Sequence, residues 1–287
     1  MRVIQTISEL RQWSRLARQQ GNVVGLVPTM GALHAGHISL VREAKTGCDA
    51  VAVSIFVNPT QFGPNEDLAK YPRTWDADCA LLEAEGVDVV FAPMVEEVYP
   101  PGAATFVEVE GLSSRLDGQS RPGHFRGVAT VVAKLFIAAE PDRAYFGQKD
   151  AAQVAVLRRM VADLGLPVQL EICPIVREPD GLAMSSRNRY LSAEERQRAL
   201  VLKRALDAVA AAIAAGERDA EALQAVARAS FADQPLVKID YIAAVNWATL
   251  EPVEQVRAGD LFAVAAWVGT TRLLDNFIVS NESPQLG

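Results

Sequence analysis

At 287 residues, half of them apolar and 22% charged, the chain has the make-up of a globular protein with one large domain or two modest ones. Its net charge of −7, with no long basic run, argues against tRNA or DNA as a partner, and no nucleic acid is expected. The longest uncharged apolar stretches, residues 50–57 and 208–215, are far too short to span a membrane, and Met1 to Leu10 lacks a signal-peptide core, so the expected compartment is the cytoplasm.

Thr6-Ile7-Ser8-Glu9 has capping-box spacing and opens an amphipathic helix that stops near Gly21. Val23 to Val27 is an apolar run of strand length, ended by Pro28, which cannot donate to a ladder. A glycine-bearing turn then leads into the helical spacing of Ile38 to Lys45. Asp49 to Val57 is a second β-branched run, stopped by Asn58-Pro59. A helix from Thr74, with Asp76 and Asp78 in its first turn, ends at Gly86, and Val87 to Phe91 is another short strand. Thr105 to Glu110 has the pattern of a strand, Gly111 to Gly127 reads as loop, and Val128 to Ala139 reads as an apolar helix. Arg143 to Phe146 is a strand leading into Gly147-Gln148-Lys149-Asp150, Ala151 to Leu164 is helical, and Gln169 to Cys173 alternates like a last strand.

Strands alternating with helices imply right-handed crossovers and a parallel sheet. The predicted fold class is therefore α/β, with a Rossmann-like nucleotide-binding domain over residues 1–176 and a hinge near Val176. Beyond it, Ser192 and Glu195 form a second capping box that opens a long Ala-rich helix to Gly216. A helix over Ala220 to Ala232 and strands at Ile239 to Val245, Leu261 to Val268 and Leu273 to Val279 follow. Helices and strands are segregated here, which predicts a smaller α+β domain over residues 177–287. Cys48, Cys79 and Cys173 lie far apart and belong to no CxxC or Cys/His pair, so the pattern fits free thiols and no zinc site.

The chemistry concentrates in Pro28-Thr29-Met30-Gly31-Ala32-Leu33-His34-Ala35-Gly36-His37. A strand, a turn and a helix N-terminus in that order favour anion binding, because the first helical N–H groups lack intrahelical partners and the helix dipole adds positive charge. Gly31 and Gly36 have no Cβ and let a phosphate or a base approach the backbone. His34 and His37, three apart, share one helical face and can donate to phosphate oxygens as charge develops. The plain alternative is one capping histidine and one incidental neighbour. The chain has only three histidines, and two fall in this turn, which favours the nucleotide site.

Other groups lie at strand ends, where ligands bind in such sheets. Lys149 follows a strand and Gly147, in position to hold a β- or γ-phosphate, or else is a solvated lysine. Asn58 and Gln61 are neutral amides, suited to a hydroxy acid whose carboxylate must stay nucleophilic, or else plain turn residues. Ser185-Ser186-Arg187 offers two hydroxyls and a guanidinium for a polyphosphate. Asp150 and Gln153 have helix-cap spacing, and a Gln tied into such a cap could not also reach a substrate. Arg121 and His124 are candidate secondary phosphate contacts. No Asp/Glu pair stands out as a magnesium site, and no general base for an attacking amine is evident.

His34-Ala35-Gly36-His37 after a strand resembles the HxGH signature of the nucleotidyltransferase superfamily, shared by class I aminoacyl-tRNA synthetases. Together with Asn58-Pro59-Thr60-Gln61-Phe62-Gly63, Phe146-Gly147-Gln148-Lys149-Asp150 and Met184-Ser185-Ser186-Arg187-Asn188, the longer string from Pro28 resembles the pantoate–β-alanine ligase family. The motifs run from residue 28 to 188 in that family's order. The resemblance implies an ATP-dependent ligase that works through an acyl adenylate. Its ATP site would comprise Met30, Gly31, Ala32, Leu33, His34, Ala35, Gly36, His37, Gly147, Gln148, Lys149, Asp150, Val176, Met184, Ser185, Ser186 and Arg187. Asn58, Gln61 and Gln153 would bind substrate, with Gln61 meeting both pantoate and β-alanine and Gln153 meeting pantoate. His34, His37, Lys149 and Arg187 would be catalytic, with the Ser-Ser-Arg loop closing over the phosphates. Mg2+ would enter with ATP, ligated mainly by phosphates and water. The family also implies a homodimer, for which Ala103 to Val109 is a candidate interface strand. The residues themselves argue for nucleotide chemistry; pantoate and β-alanine rest on the resemblance. Two other readings remain open, a nucleotidyltransferase that joins AMP to a phosphorylated substrate and a nucleotide-binding regulatory module without turnover.

Overall fold

The computed structural model describes residues 1–64 and 66–280, and the chain divides into two compact units. The first comprises Met1–Gln148 and Val156–Cys173; the second comprises Lys149–Ala155 and Pro174–Gly287. Lys149–Ala155 is thus a short excursion into the second unit, which the chain enters again after Cys173. Among the described residues no helix is long and apolar enough to cross a membrane.

The first unit opens with β1 (Arg2–Ile4), α1 (Ile7–Gln19), β2 (Val24–Thr29), α2 (Ala35–Gly47) and β3 (Ala50–Ile55). Next come α3 (Trp75–Ala84), β4 (Val89–Phe91), a single turn α4 (Val95–Val98), a second single turn α5 (Asp117–Ser120) and α6 (His124–Ala139). β5 (Arg143–Gly147), the later part of α7 (Ala151–Asp163) and β6 (Gln169–Cys173) complete it. Among the described residues the strands form one six-stranded parallel sheet in the order β1-β4-β3-β2-β5-β6. β2 and β3 pair over six residues, from Val24↔Ala50 to Thr29↔Ile55, and are buried along most of their length. Continuous β-branched runs suit strands covered by helices on both faces. The apolar layer above them includes Val27, Leu33, Ile38, Val41, Val53, Leu82 and Val90.

The chain runs outward from β2 in both directions, so the strand order reverses between β2 and β5. The turns that follow these two strands flank that switch point, the place where ligands bind in open α/β sheets.

The second unit contains α8 (Ala193–Ala199), α9 (Val201–Ala214), α10 (Ala220–Ala229) and the antiparallel strands β7 (Val237–Asn246), β8 (Asp260–Val268) and β9 (Thr271–Ile278). Leu202, Leu206 and Val209 of α9 and Leu223 of α10 pack with Phe262, Val264 and Phe277 of the sheet. This is the smaller α+β domain that segregated elements imply.

Four local expectations change. β1 was not apparent in the sequence, because a three-residue edge strand with only Ile4 buried carries almost no periodic signal. The segment at 105–110 is not a strand in the described chain, since no sheet edge pairs with it. The stretch from Gly111 to Gly127 is partly helical, and α6 starts at His124 rather than Val128. The long Ala-rich helix breaks at Leu200, where α8 ends and α9 begins. By contrast, the capping boxes at Thr6/Glu9 and Ser192/Glu195 form as their spacing predicts.

One close approach fixes how α6 sits against the turn after β3. A Cβ on Gly127 would fall against the Thr60 carbonyl and lie 2.6 Å from the Gln61 nitrogen. Backbone meets backbone there, so no side chain can yield. Gly127→Ala is expected to lower stability by about 1–3 kcal/mol, the scale of overpacking, as read by denaturant unfolding. An unchanged midpoint would show that the turn can retreat freely.

Candidate active site

The turn after β2 is organised by its own side chains. Thr29 Oγ1 donates to the Ser54 carbonyl at 2.7 Å and accepts from the Gly31 N–H at 3.1 Å. His34 is the N-cap of α2, and its Nδ1 accepts from the Gly36 N–H at 3.1 Å. His37 reaches back, its Nδ1 accepting from the His34 N–H at 3.3 Å. The result is a capping box in which imidazoles play both parts, with ring centroids 4.0 Å apart. A nitrogen that accepts a hydrogen bond carries no proton, so each neutral ring holds its proton on Nε2. Both histidines thus become fixed Nε2–H donors, and the capping and nucleotide readings prove compatible.

The backbone differs from the expected cradle of bare N–H groups. Ala32 N–H and Leu33 N–H both donate to the Asp78 carboxylate at 2.8 Å, and the His37 N–H bonds the His34 carbonyl at 2.8 Å. Gly31, His34 and Gly36 are accounted for above.

The turn after β3 holds the amides. Asn58 is 1% exposed and every polar atom of its side chain is in use. Its Oδ1 accepts from Thr60 N–H (3.3 Å), Thr60 Oγ1 (2.9 Å) and Tyr99 Oη (2.8 Å); its Nδ2 donates to Gln61 Oε1 (3.0 Å) and the Gly127 carbonyl (3.1 Å). Burial raises the Tyr99 hydroxyl above its ordinary value, against the pull of its bonds to Thr60 and Asn58, and so keeps it a donor. Asn58, expected to bind substrate, thus bonds the side chain of Gln61, the other amide of that expectation. With Oε1 turned to Asn58, Gln61 directs Nε2 to within 3.0 Å of Met30 Sδ, joining the amide turn to the histidine turn.

The Gln61 main chain is held as firmly. His124 Nε2 can only accept from Arg121, 3.0 Å away, so its Nδ1 carries the proton and donates to the Gln61 carbonyl at 2.8 Å. The same carbonyl accepts from Arg121, whose guanidinium also grips both Glu66 oxygens at 2.8 and 2.5 Å. Burial works to raise the Glu66 carboxyl, but Arg121 outweighs it and holds the group below its ordinary value. Arg121 and His124 therefore brace Gln61 rather than stand ready for phosphate.

The remaining candidates divide between the units. Gly147 and Gln148 lie at the end of β5 in the first unit. Gln148–Asp150 form a 3-10 turn that runs straight into α7. In the second unit the Lys149 carbonyl accepts from Asn276 Nδ2 at 2.7 Å, the Ala151 carbonyl accepts from Trp247 Nε1 at 3.0 Å, and Lys149 Nζ lies 3.3 Å from Asp150 Oδ1. Val176 and Met184 face each other across a hairpin, the Met184 N–H bonding the Val176 carbonyl at 2.9 Å. Ser185 caps the turn Ser186–Tyr190 by accepting from the Arg187 N–H at 3.2 Å, and Ser186 is buried. Asp78, Glu66, Tyr99 and Asn276 were not evident from sequence as site residues. Only Asp78 carried any signal, and that signal placed it in a helix first turn.

His124 couples the site to pH. Burial, seconded by the Arg121 charge, pushes its pKa down to about 4 from an ordinary 6.5. The unfolded chain thus binds the proton more readily than the folded one. The neutral ring's stabilisation is complete above pH 6.5 and is lost as pH falls from 6.5 towards 4. The expected loss is about 3 kcal/mol. Replacing His124 by Gln should flatten that limb of the stability–pH curve, measured by urea unfolding at each pH. An equally steep limb would place the titrating group elsewhere.

A family model described as pantoate-beta-alanine ligase matches residues 2–278. Among curated relatives, the pantothenate synthetase of Acidobacterium capsulatum is 62% identical over 295 residues, covering 99% of this chain and 98% of the relative. That of Koribacter versatilis is 60% identical over 279 residues, covering 97% and 96%. Among solved structures, the pantothenate synthetase of Thermus thermophilus superposes with a TM-score of 0.92 at 47% identity, covering 98% of this chain and 100% of that one. The pantoate-beta-alanine ligase of Francisella tularensis, complexed with beta-gamma ATP and beta-alanine, gives 0.78 at 34% identity, with 97% of each chain covered. On sequence, fold and coverage alike, the chain belongs to the pantoate–β-alanine ligase family.

Proposed function

We infer that the protein condenses pantoate with β-alanine at the expense of ATP, through a pantoyl adenylate, giving pantothenate, AMP and pyrophosphate. The observation that carries the reading is the pair of Nδ1-anchored imidazoles at the start of α2, both fixed as Nε2–H donors. The pantoate carboxylate attacks the α-phosphorus of ATP in line, and its new P–O bond replaces the bond to pyrophosphate. His34 and His37 donate to phosphoryl oxygens as their charge grows. Lys149 and Arg187 neutralise the departing pyrophosphate. Met30 to His37, Gly147 to Asp150, Val176 and Met184 to Arg187 make up the nucleotide site.

Gln61, held at both ends, presents its Nε2–H to the acids, with Gln153 as a second amide for pantoate; Asn58 acts through Gln61. The β-alanine amine then attacks the acyl carbon, AMP leaves, and the proton passes to water or to a phosphate oxygen. Mg2+ would enter with ATP, held mainly by its phosphates and water. Among the described residues no group of three or more His, Cys, Asp or Glu could hold a metal. The setting is the cytoplasm, and the assembly is a homodimer in which the exposed stretch around Phe106 meets its copy.

Incubation with ATP, magnesium, pantoate and β-alanine is expected to yield AMP only when both acids are present. Pantoate alone should support exchange of labelled pyrophosphate into ATP, the signature of a reversible adenylate. A dinucleotide product would indicate transfer of AMP to another substrate, and intact ATP would indicate a binding module. His34→Ala and His37→Ala should each slow adenylation by about 10²–10³-fold, the scale of one lost transition-state donor. Near-normal single-turnover rates in both variants would remove the histidines from the chemistry. Sedimentation should give a dimer that Phe106→Glu dissociates; a monomer at all concentrations would exclude the assembly.

A further inference from the structure

We propose that Asp78 is the positioning residue of the histidine turn, its carboxylate fixing the backbone from Gly31 to Leu33 and so aiming the His34 and His37 Nε2–H groups. The inference rests on the reading of that turn as the nucleotide site. Asp78 lies on α3, 45 and 46 residues from the two N–H groups it accepts, Leu33 on Oδ1 and Ala32 on Oδ2, both at 2.8 Å. A third bond comes from Thr74 Oγ1 to Oδ1 at 3.0 Å. The residue is 2% exposed. A merely local role, as an acid in the first turn of its own helix, would need only solvent or a nearby N–H group.

The turn that Asp78 holds would not hold itself. Gly31 has φ +78 and Ala32 has φ +51, so two successive residues occupy the left-handed region, where an alanine is disfavoured. Such a conformation persists when its surroundings over-determine it; Thr29 Oγ1 takes the Gly31 N–H, and the Asp78 carboxylate takes the next two. The fit is close: a Cβ on Gly31 would lie 3.1 Å from Asp78 Oδ2 and 3.0 Å from Ile55 Cγ2. Ala32 and Leu33 are buried, so any shift of the turn moves packed atoms and carries His34, the next residue, with it.

A buried anion beneath a polyphosphate site is otherwise unfavourable. Its oxygens already hold three donors, which makes the carboxylate a structural acceptor. Asp78→Asn keeps the shape, but its amide group must set an N–H against the Ala32 or Leu33 N–H. The turn is then released on that side, and both imidazoles lose their aim together.

The test is steady-state pantothenate formation by Asp78→Asn at saturating substrates, well below its melting temperature. The expected fall in kcat is about 10- to 100-fold, the scale of a small misplacement of catalytic groups, with the KM for β-alanine unchanged. In a His34→Ala, His37→Ala background the same change should cost less than about twofold, because the groups it aims are gone. A kcat within twofold of wild type, whatever the melting temperature does, would overturn the proposal, and so would a full additional loss in that background.

If Asp78→Asn does not fold, Thr74→Val, which removes one of the three bonds, should still cost about threefold in kcat, and no loss would count against the role. Two-bond ¹H–¹⁵N NMR of the three histidines supplies a readout independent of turnover. Wild type should show Nε2–H at His34 and His37 and Nδ1–H at His124; Asp78→Asn or Thr74→Val should alter only the first two. An unaltered spectrum overturns the proposal even if the wild-type protein forms no AMP, whereas that absence of AMP would itself count against the nucleotide reading alone.

Discussion

The structure depends on what happens to the N–H groups at the start of α2. In many phosphate sites such groups stay bare and meet the ligand themselves. Here those of the turn leading into α2 are occupied by Thr29 Oγ1, Asp78 and the His37 ring, and that of Gly36 by the His34 ring. Bare backbone donors favour an anion in every state of the reaction, which tightens ground-state binding as much as anything else. Handing the contact to two rings in fixed tautomers localises the donors at two points. Donors placed in this way can match the charge distribution of a pentavalent phosphorus more closely than that of the resting triphosphate.

The same logic governs the neighbouring amide turn. Gln61 has its side-chain oxygen turned to Asn58 and its carbonyl shared by His124 and Arg121, so rotation is blocked at both ends. The amide orientation follows from the partners: the Gly127 carbonyl can only accept, and Tyr99 as a phenol donates to Asn58 Oδ1. A neutral donor suits a carboxylate that must attack phosphorus, since a cation in that place would lower its nucleophilicity along with its energy. The arginine of this region is accordingly paired with Glu66, and its charge is compensated before a substrate arrives.

Much of this order was legible in the sequence, for identifiable reasons. The parallel sheet followed from buried β-branched runs separated by helical spacing, and the histidine turn from two rings within four residues of each other at a strand end. The capping boxes at Thr6 and Ser192 were visible because both partners lie within one helical turn. What stayed hidden was whatever depends on partners distant in the chain. Asp78 looked like any acid in a helix first turn, yet its two decisive bonds reach back across β3 to the turn at Ala32 and Leu33. Arg121 and His124 looked like phosphate ligands because nothing nearby in sequence announced that Glu66 and the Gln61 carbonyl would claim them. In each case the residue type was informative, and the partner was set by the fold.

The second unit shows how cations can be organised without being buried. The Lys149 carbonyl is tied to Asn276 on β9 and that of Ala151 to Trp247, while Ser185 caps the turn that presents Arg187. In both places the main chain is fixed by neutral hydrogen bonds. Arg177, by contrast, forms a closed, buried pair with Asp275 and is a structural cation.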